Sequence, residues 1–333
     1  MSATLSRISN RLEIVTASQP ANAATFAEDV RSGLLAQPKK LSPKYFYDEL
    51  GSTLFEAITR LPEYYLTSAE TEILREYGWE IVRLVRSPIE IMELGSGSAN
   101  KTRRLIEEAL RIQRSLRYCP IDISADALRT SASALVDAYP RLTVRAYATD
   151  YFSILGSPQL ELHHPVLALL LGSNIGNYEP QVMERLFNAI GASLHTGDGL
   201  LVGADLRKDA ATLELAYNDP TGVTAAFNKN LLGRLNRELG ANFDLPAFEH
   251  RVKYDDERGA VDSFLVSQRK QRISIEKLGI DVDFEEGETL HTESSYKFTS
   301  EELQAGAREA GLALARTWLD RRRYYSVNLF LKA

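Results

Sequence analysis

The chain has 333 residues, of which 44% are hydrophobic and 25% are charged, and its formal net charge is -6 at pH 7. This composition is typical of a globular protein that is large enough for two domains. The acidic balance argues against nucleic-acid binding as the main task, because neutralising phosphates requires a basic surface.

Two further features concern the cellular compartment. The longest apolar run, 166–171, is too short to span a bilayer, and the N-terminal residues lack the apolar core of a signal peptide. A single cysteine excludes an internal disulfide framework and a cysteine-rich metal site. We therefore expect a cytoplasmic protein that binds neither membranes nor nucleic acid.

The N-terminal part of the chain changes in character near residue 41. Residues 1–40 are polar and predict a flexible lead-in with one helix over 24–35. The next segment is unusually aromatic and brings four tyrosines close together: Tyr45, Tyr47, Tyr64 and Tyr65. Each buried tyrosine needs a partner for its hydroxyl, so core packing explains such a cluster poorly. Core packing remains the alternative for Tyr45 and Tyr65.

The middle of the chain alternates short apolar strands with helices. The predicted strands lie at 89–94, 118–123, 142–148, 166–171 and 197–205, the last with its turn. The predicted helices lie at 101–110, 125–138 and 180–194. This alternation is typical of parallel βαβ units and predicts a doubly wound sheet.

The alternation stops near residue 208. A helical segment at 208–240 and antiparallel strands at 248–275 follow, and the chain closes with a capped helix at 299–310 and a strand at 325–331. We expect an α/β domain that is interrupted by an α+β lobe, with the N-terminal segment joining the lobe. The predicted boundaries are 62–206 and 297–333 for the α/β domain, and 41–61 and 207–296 for the lobe.

The clearest chemical signal is a glycine-rich loop between the first strand of this domain and its helix. The strand ends near Glu93, and Gly95 and Gly97 follow. Glycines allow a tight turn and a close approach of the backbone to a ligand, and the helix N-terminus favours anionic or electron-rich groups. A dinucleotide fingerprint would require a third glycine where this chain has Asn100.

A P-loop is a second interpretation of the same loop. Its pattern places a glycine before Lys and Thr, and here Asn100 precedes Lys101 and Thr102. Asparagine is the best substitute for glycine in left-handed geometry. The fourth predicted strand is followed by Gly172, Ser173 and Asn174, and so it lacks the aspartate that would hold Mg²⁺. A P-loop-like nucleotide-binding module stays an alternative.

A third interpretation is the binding of S-adenosylmethionine. Its pattern needs an acidic residue and two glycines after the first strand, which Glu93, Gly95 and Gly97 supply. It also needs an acid at the end of the second strand for the ribose hydroxyls and one after the third strand for the adenine amino group. Asp122 and Asp150 stand at these places. Three matches in order favour this interpretation.

Several longer strings resemble one enzyme family. They are YFYDELGSTLFEAITRLPEYY, ELGSGSANKTR, LLLGSNIGNYEP, AYNDPTGVTAAFNKNLL and HTESSYKF. The chain from about residue 41 to 333 resembles the histidine-specific Nα-methyltransferases of ergothioneine biosynthesis. The resemblance implies a Rossmann-like class I methyltransferase sheet with an inserted α+β substrate-binding lobe. It also implies transfer of three methyl groups from S-adenosylmethionine to the α-amine of L-histidine, giving hercynine.

The resemblance also implies roles for individual residues. The cofactor, or its product S-adenosylhomocysteine, would contact Gly95, Lys101, Asp122, Asp150 and Tyr151. The amino acid would contact Phe55, Tyr64, Gly172, Asn177, Tyr217, Glu293 and Ser295. Tyr47 and Tyr64 are the candidate catalytic residues, and Glu293 with Ser295 would meet the imidazole. Ser263 departs from the family pattern, which has a larger apolar side chain there, and this leaves the side-chain specificity more open.

The chemistry of methyl transfer agrees with these assignments. The final product would be a quaternary ammonium, which aromatic faces attract, so the clustered tyrosines would bind the methylated nitrogen. No metal is needed, and the five histidines show no ligand spacing. The main alternative is an N-methyltransferase for another aromatic amino acid such as a tryptophan derivative, against which Glu293 argues. We expect a monomer whose partner is the small amino-acid substrate.

Overall fold

The structure is a computed structural model that describes residues 3–17, 23–163 and 165–333. The chain divides into two compact units. The first, which we call the sheet unit, comprises Met1–Ala21, Ala69–Leu206 and Phe298–Ala333. The second, which we call the lobe unit, comprises Asn22–Ser68 and Arg207–Lys297.

Strands and helices both occur in each of the two units. The strands are β1 (Ala3–Ser9), β2 (Leu12–Ala17), β3 (Lys39–Lys40), β4 (Glu90–Leu94), β5 (Leu116–Asp122), β6 (Leu142–Ala148), β7 (Val166–Leu170), β8 (Gly199–Asp205), β9 (Phe248–Asp255), β10 (Ala260–Ser267), β11 (Gln271–Ile275), β12 (Ile280–Phe284), β13 (Thr289–Tyr296), β14 (Leu312–Leu319) and β15 (Tyr325–Lys332). The helices are α1 (Ala23–Leu35), α2 (Glu49–Ile58), α3 (Tyr65–Leu84), α4 (Thr102–Ile112), α5 (Ala125–Ala138), α6 (Tyr151–Ile154), α7 (Pro180–Ser193), α8 (Ala210–Tyr217), α9 (Val223–Leu239) and α10 (Ser300–Glu309).

The sheet unit is built on a nine-stranded sheet with the order β1-β2-β6-β5-β4-β7-β8-β15-β14. The strands from β6 to β8 pair in parallel, whereas β15 and β14 are antiparallel. Every residue of β4, β7 and β8 is buried, as expected for parallel strands that are covered on both faces. The predicted doubly wound sheet is confirmed. Its strand order reverses between β4 and β7, where such sheets bind ligands at their carboxyl ends.

Local sequence signals fix the helices of the sheet unit. Ser124 caps α5 by accepting a hydrogen bond from the Ala127 N–H, and the buried residues of the helix recur at helical spacing. Thr299 and Glu302 form a capping box at the start of α10, which is the helix that the sequence predicts there. No helix among the described residues is long and apolar enough to cross a membrane.

The N-terminal residues differ from the prediction. Residues 3–17 form the antiparallel pair β1–β2, and β2 continues the large sheet by pairing in parallel with β6. The prediction of a flexible lead-in is therefore wrong for these residues, and so is their assignment to the lobe. The apolar positions that β2 buries, Leu12, Ile14 and Val15, are too few to stand out in a polar segment. Helix α1 is confirmed, and residues 1–2 and 18–22 of the lead-in lie outside the described residues.

The lobe unit contains a four-stranded sheet with the order β3-β13-β10-β9 and a hairpin of β11 and β12. Helix α9 buries Phe227 and a row of leucines. The unit extends beyond the predicted lobe to include residues 22–40 and 62–68. The edge strand β14 of the sheet unit was also not predicted, because only its residues Leu312 and Trp318 are buried.

Candidate functional site

The carboxyl end of β4 leads into the predicted glycine loop. Gly95 and Gly97 have φ angles of 75° and 47°, in the left-handed region that favours glycine. A Cβ atom on Gly95 would lie 2.6 Å from the Asn174 amide nitrogen and still closer to the Tyr151 hydroxyl, so a side chain is excluded there. Around Gly97 such an atom would meet nothing within 4 Å. The loop therefore leaves its backbone accessible beside Tyr151, as the sequence predicts.

Asp122 joins this loop to the end of β5. Its carboxylate accepts hydrogen bonds from the N–H groups of Gly97 and Ser124, each at 3.0 Å. Burial raises the pKa of Asp122, and the backbone hydrogen bonds oppose that rise. A carboxylate has about four lone-pair positions, so that of Asp122 can accept further bonds from two neighbouring hydroxyls.

The loop after β6 adds a second acid and apolar surface. Asp150 is exposed and caps α6 by accepting the Ser153 N–H at 3.0 Å. Ile123 and Phe152, which follow the two acids closely in sequence, are 53% and 44% exposed. Carboxylates with apolar surface beside them suit a nucleoside, which has flat apolar faces and a polar edge. The residues present therefore fit an adenosyl group.

Lys101 and Gly172 meet at a buried acid that the sequence interpretation missed. The Lys101 ammonium pairs with the carboxylate of Glu70, and the Gly172 N–H donates to the same group at 2.8 Å. Glu70 lies on α3, on the face of the helix that also buries Ile73 and Leu74. An acid on an apolar helix face was the signal that could have found it.

Asn177 is exposed at the end of a short 3-10 turn, Asn174–Asn177, in the sheet unit. Among the described residues none forms a hydrogen bond with its side chain. Asn177 and Gly172 thus belong to the sheet unit, whereas the other predicted substrate residues belong to the lobe unit. The role of Asn177 stays a prediction.

In the lobe unit the predicted aromatic residues form a connected row. The ring centroids of Tyr47 and Phe55 are 5.6 Å apart, those of Phe55 and Tyr64 6.2 Å, and those of Tyr64 and Tyr217 6.0 Å. Phe227 of α9 adds to this row, 5.8 Å from Tyr47 and 5.9 Å from Phe55. Its helical spacing from Leu231 predicts only core packing, so nothing in the sequence singled it out.

The other two tyrosines of the cluster are structural. Tyr45 is buried and donates to Asp29 at 2.6 Å, and Tyr65 is buried and accepts from the Lys208 ammonium at 2.7 Å. Core packing, the alternative left open for these two residues, is confirmed.

A polar cluster adjoins the row at Tyr217. The hydroxyls of Tyr217 and Ser295 lie 2.8 Å apart, and the Lys297 ammonium donates to them at 2.7 and 2.9 Å. Lys297 is only 1% exposed. The sequence analysis did not identify Lys297. Its alternation with Ser295 along the strand was the signal for a buried position.

Glu293 precedes Ser295 by two positions on β13, so both side chains point to the same face, as predicted. Burial raises the pKa of Glu293 to about 7, and the positive charge of Lys297 opposes this rise. Among the described residues none donates a hydrogen bond to the Glu293 carboxylate. This strand face therefore offers a carboxylate acceptor beside a hydroxyl.

The described residues contain no group of three or more histidine, cysteine, aspartate or glutamate side chains that could hold a metal ion.

Comparisons with known proteins identify related enzymes. The family described as "Histidine-specific methyltransferase, SAM-dependent" matches residues 26–332. The chain is 41% identical over 299 residues to a histidine N-alpha-methyltransferase of Mycolicibacterium smegmatis, covering 90% of this chain and 92% of that protein. It is likewise 41% identical over 305 residues to one of Mycobacterium tuberculosis, covering 91% and 94%. An L-tryptophan methyltransferase of Psilocybe serbica is 27% identical over 322 residues, covering 89% and 90%.

These matches decide between the three interpretations of the glycine loop. The dinucleotide and P-loop interpretations are wrong, and the sheet is the Rossmann-like class I methyltransferase sheet that the resemblance implied. The chain belongs to the family of histidine-specific, S-adenosylmethionine-dependent methyltransferases and is an N-methyltransferase.

Proposed function

We propose that this enzyme transfers three methyl groups to the α-amine of L-histidine and thereby forms hercynine for ergothioneine biosynthesis. The observation that carries the proposal is that Glu293 and Ser295 share one strand face next to the aromatic row of the lobe unit. A half-buried carboxylate to which no described residue donates suits the N–H of an imidazole, and the neighbouring hydroxyl suits the other ring nitrogen. The names of the two relatives with 41% identity support the same substrate.

The sheet unit would hold the methyl donor. S-adenosylmethionine supplies a methyl group on a positively charged sulfur, so the protein needs no acid, base or metal to create a leaving group. Asp122 would accept hydrogen bonds from the ribose hydroxyls, and Asp150 would accept one from the adenine amino group. Lys101 would bind the carboxylate of the methionine half, and Tyr151 would line the loop at Gly95.

The amine must be neutral when it reacts, because an ammonium has no lone pair. Before each transfer the ammonium loses one proton to solvent; the neutral amine then forms one N–C bond as one C–S bond breaks, and S-adenosylhomocysteine leaves. A nearby sulfonium and partial desolvation both lower the pKa of an amine and so favour its neutral form. In the lobe unit the rings of Tyr47 and Tyr64 would receive the increasingly methylated nitrogen, because aromatic faces attract quaternary ammonium groups. The resemblance implies that the substrate carboxylate contacts Asn177 and Tyr217.

The test is incubation with S-adenosylmethionine and each of the twenty amino acids, with mass spectrometry of the products. We expect histidine to gain one, two and three methyl masses and the other amino acids to gain none. Histamine has the ring and the amine but no carboxylate, and we expect it to be rejected, since a site built for a polar group excludes analogues that lack it. Methylation of histamine at the histidine rate would disprove the carboxylate contacts.

A second candidate substrate is a tryptophan derivative. Ser263, which pairs with Glu293 in the register of β10 and β13, is a small residue and is 3% exposed. A small side chain there agrees with a larger ring, and one relative is named as a tryptophan methyltransferase. Tryptophan in the same panel distinguishes the two candidate substrates. Faster methylation of tryptophan than of histidine would overturn the first proposal in favour of the second. We also expect a monomeric cytoplasmic enzyme.

A further inference from the structure

Glu70 is a fully buried carboxylate at the end of the sheet where the cofactor is proposed to bind. Its exposed fraction is 0%, and a buried carboxylate is costly unless donors surround it. Three donors do so. They are the Lys101 ammonium, the Gly172 N–H at 2.8 Å and the Tyr325 hydroxyl at 2.7 Å.

The backbone around Glu70 leaves room for this arrangement. A Cβ atom on Gly203 of β8 would lie 2.7 Å from the Tyr325 hydroxyl and still closer to the Glu70 carboxylate. A Cβ atom on Gly172 would lie 3.0 Å from the Lys101 ammonium nitrogen. Glycine at these two positions thus allows the carboxylate and the ammonium to approach the strand ends.

The charge on Lys101 limits what it can bind on the cofactor. At neutral pH S-adenosylmethionine carries a sulfonium, an ammonium and a carboxylate. A lysine ammonium attracts the carboxylate and repels the two cations. The side chain of Lys101 is 27% exposed, so it can meet a ligand while it is paired to Glu70.

We propose that Glu70 is a positioning residue for the cofactor. It holds the Lys101 ammonium in place for the carboxylate of the methionine half, and through the Gly172 N–H it ties the loop after β7 to the same point. The proposal rests on the cofactor contact of Lys101 in the proposed function. It does not depend on the identity of the amino acid that is methylated.

Glu90 provides a matched control within the same unit. It is 3% exposed and pairs with Arg117 at 3.0 Å, so it too is a buried carboxylate in an ion pair. It stands at the first residue of β4, at the opposite end of the strand from the glycine loop. Replacing Glu90 therefore disturbs the core to a similar extent without touching Lys101.

The experiment measures the binding of S-adenosylhomocysteine and of 5′-methylthioadenosine, which lacks the amino-acid half, by calorimetry. For Glu70→Gln we expect S-adenosylhomocysteine to bind roughly 10- to 100-fold more weakly and methylthioadenosine to change less than about threefold, because only the former has the carboxylate. For Glu90→Gln we expect neither affinity to change beyond about threefold. Equal losses for both ligands, or the same loss in Glu90→Gln, would mean that Glu70 only stabilises the fold.

The direction of the change is informative in itself. Glu70→Gln removes a negative charge that opposes the ligand carboxylate, so an electrostatic effect without positioning would tighten binding. Unchanged or tighter binding of S-adenosylhomocysteine would overturn the proposal. If Glu70→Gln does not fold, Tyr325→Phe removes one donor and keeps the ion pair. We then expect a smaller loss, about two- to fivefold, again for S-adenosylhomocysteine only, and no selective loss would overturn the proposal.

A double-mutant cycle tests whether Glu70 acts through Lys101. In a Lys101→Met background, Glu70→Gln should weaken S-adenosylhomocysteine binding by less than about threefold, because the group that it positions is gone. A full additional loss in that background would show that Glu70 acts by another route. These measurements need no methyl acceptor, so a wrong substrate assignment would leave their outcome unchanged.

Discussion

The two candidate sites use different chemistry. In the sheet unit, carboxylates and backbone N–H groups converge at strand ends, as where Asp122 accepts from Gly97. In the lobe unit, a row of aromatic rings ends at the hydroxyls of Tyr217 and Ser295, which both accept hydrogen bonds from the buried Lys297 ammonium. The first arrangement suits a ligand rich in hydroxyls and charges. The second suits an aromatic amino acid whose amine becomes a quaternary ammonium.

The difference also concerns how each site is assembled. The proposed cofactor residues follow consecutive parallel strands, and the carboxyl ends of such strands share one edge by the geometry of the fold. The lobe residues come from segments as far apart as 47–64 and 293–297, which only the tertiary structure brings together. We therefore expect substitutions in the lobe unit to change the amino-acid specificity without altering the methyl donor. The predictions below test this independence.

The largest expected effect lies in the sheet unit. Asp122→Ala removes the acceptor of two ribose hydroxyls, each charged hydrogen bond being worth about 1.5–3 kcal/mol. We expect the affinity for S-adenosylhomocysteine, measured by calorimetry, to fall by at least about 100-fold while the thermal unfolding midpoint stays close to that of the wild type. Asp126→Ala, an exposed acid four residues further on, is the control and should bind normally. An affinity within a few-fold of the wild type would mean that the cofactor site lies elsewhere.

The matching change in the lobe unit should leave the cofactor alone. Glu293→Ala removes one charge-assisted hydrogen bond to the ring, so we expect kcat/KM for histidine to fall by about 10- to 150-fold. S-adenosylhomocysteine should bind as before, and discrimination against tryptophan and phenylalanine should narrow. The exposed Glu286 of the same unit supplies the control Glu286→Ala. Equal losses for histidine and the other amino acids would show that Glu293 maintains structure and does not read the side chain.

The sequence predicted these two sites to different extents. The strands and helices between residues 89 and 205 follow from apolar runs and capping residues, and Asp122 and Asp150 follow from strand order. The lobe residues came from the resemblance, since the spacing around Glu293 alone does not indicate a binding site. Glu70 and Lys297 were missed because charged side chains are seldom fully buried, so their positions on buried faces were not taken as a signal.

A third prediction concerns the stability cost of the lobe site. Burial raises the pKa of Glu293 from 4.5 to about 7. Because the pKa is raised in the folded state, the protonated Glu293 side chain contributes its full stabilisation of the fold below pH 4.5. This stabilisation is lost as the pH rises through 7. Glu293→Gln removes this penalty. The increase in the free energy of unfolding of Glu293→Gln over the wild type, measured in urea, should therefore be about 2 kcal/mol larger at pH 8.5 than at pH 5.

The control for this experiment is Glu286→Gln, which should show the same difference from the wild type at both pH values. A Glu293→Gln effect that does not vary with pH would mean that the carboxyl group is not desolvated in the folded protein. In the sheet unit burial also raises the pKa of Asp122, but backbone hydrogen bonds to its carboxylate oppose that rise, and Glu293 has no such bonds from the described residues.

The smallest expected effect tests the aromatic row itself. The Tyr47 ring is 40% exposed and packs edge-on against Phe55 at 5.6 Å, so one face can meet a ligand cation. A cation over an exposed ring gains about 0.5–1 kcal/mol, which is a factor of about 2–5 in affinity. We expect Tyr47→Leu to weaken inhibition by trimethylated histidine by that factor and to change the KM for histidine less, because the unmethylated amine is neutral when it reacts. Tyr47→Phe keeps the ring and should behave as the wild type. If Tyr47→Phe weakened product inhibition as much as Tyr47→Leu, the hydroxyl would be the contact, and the lobe site would resemble the hydrogen-bonded sheet site more closely than its aromatic rings suggest.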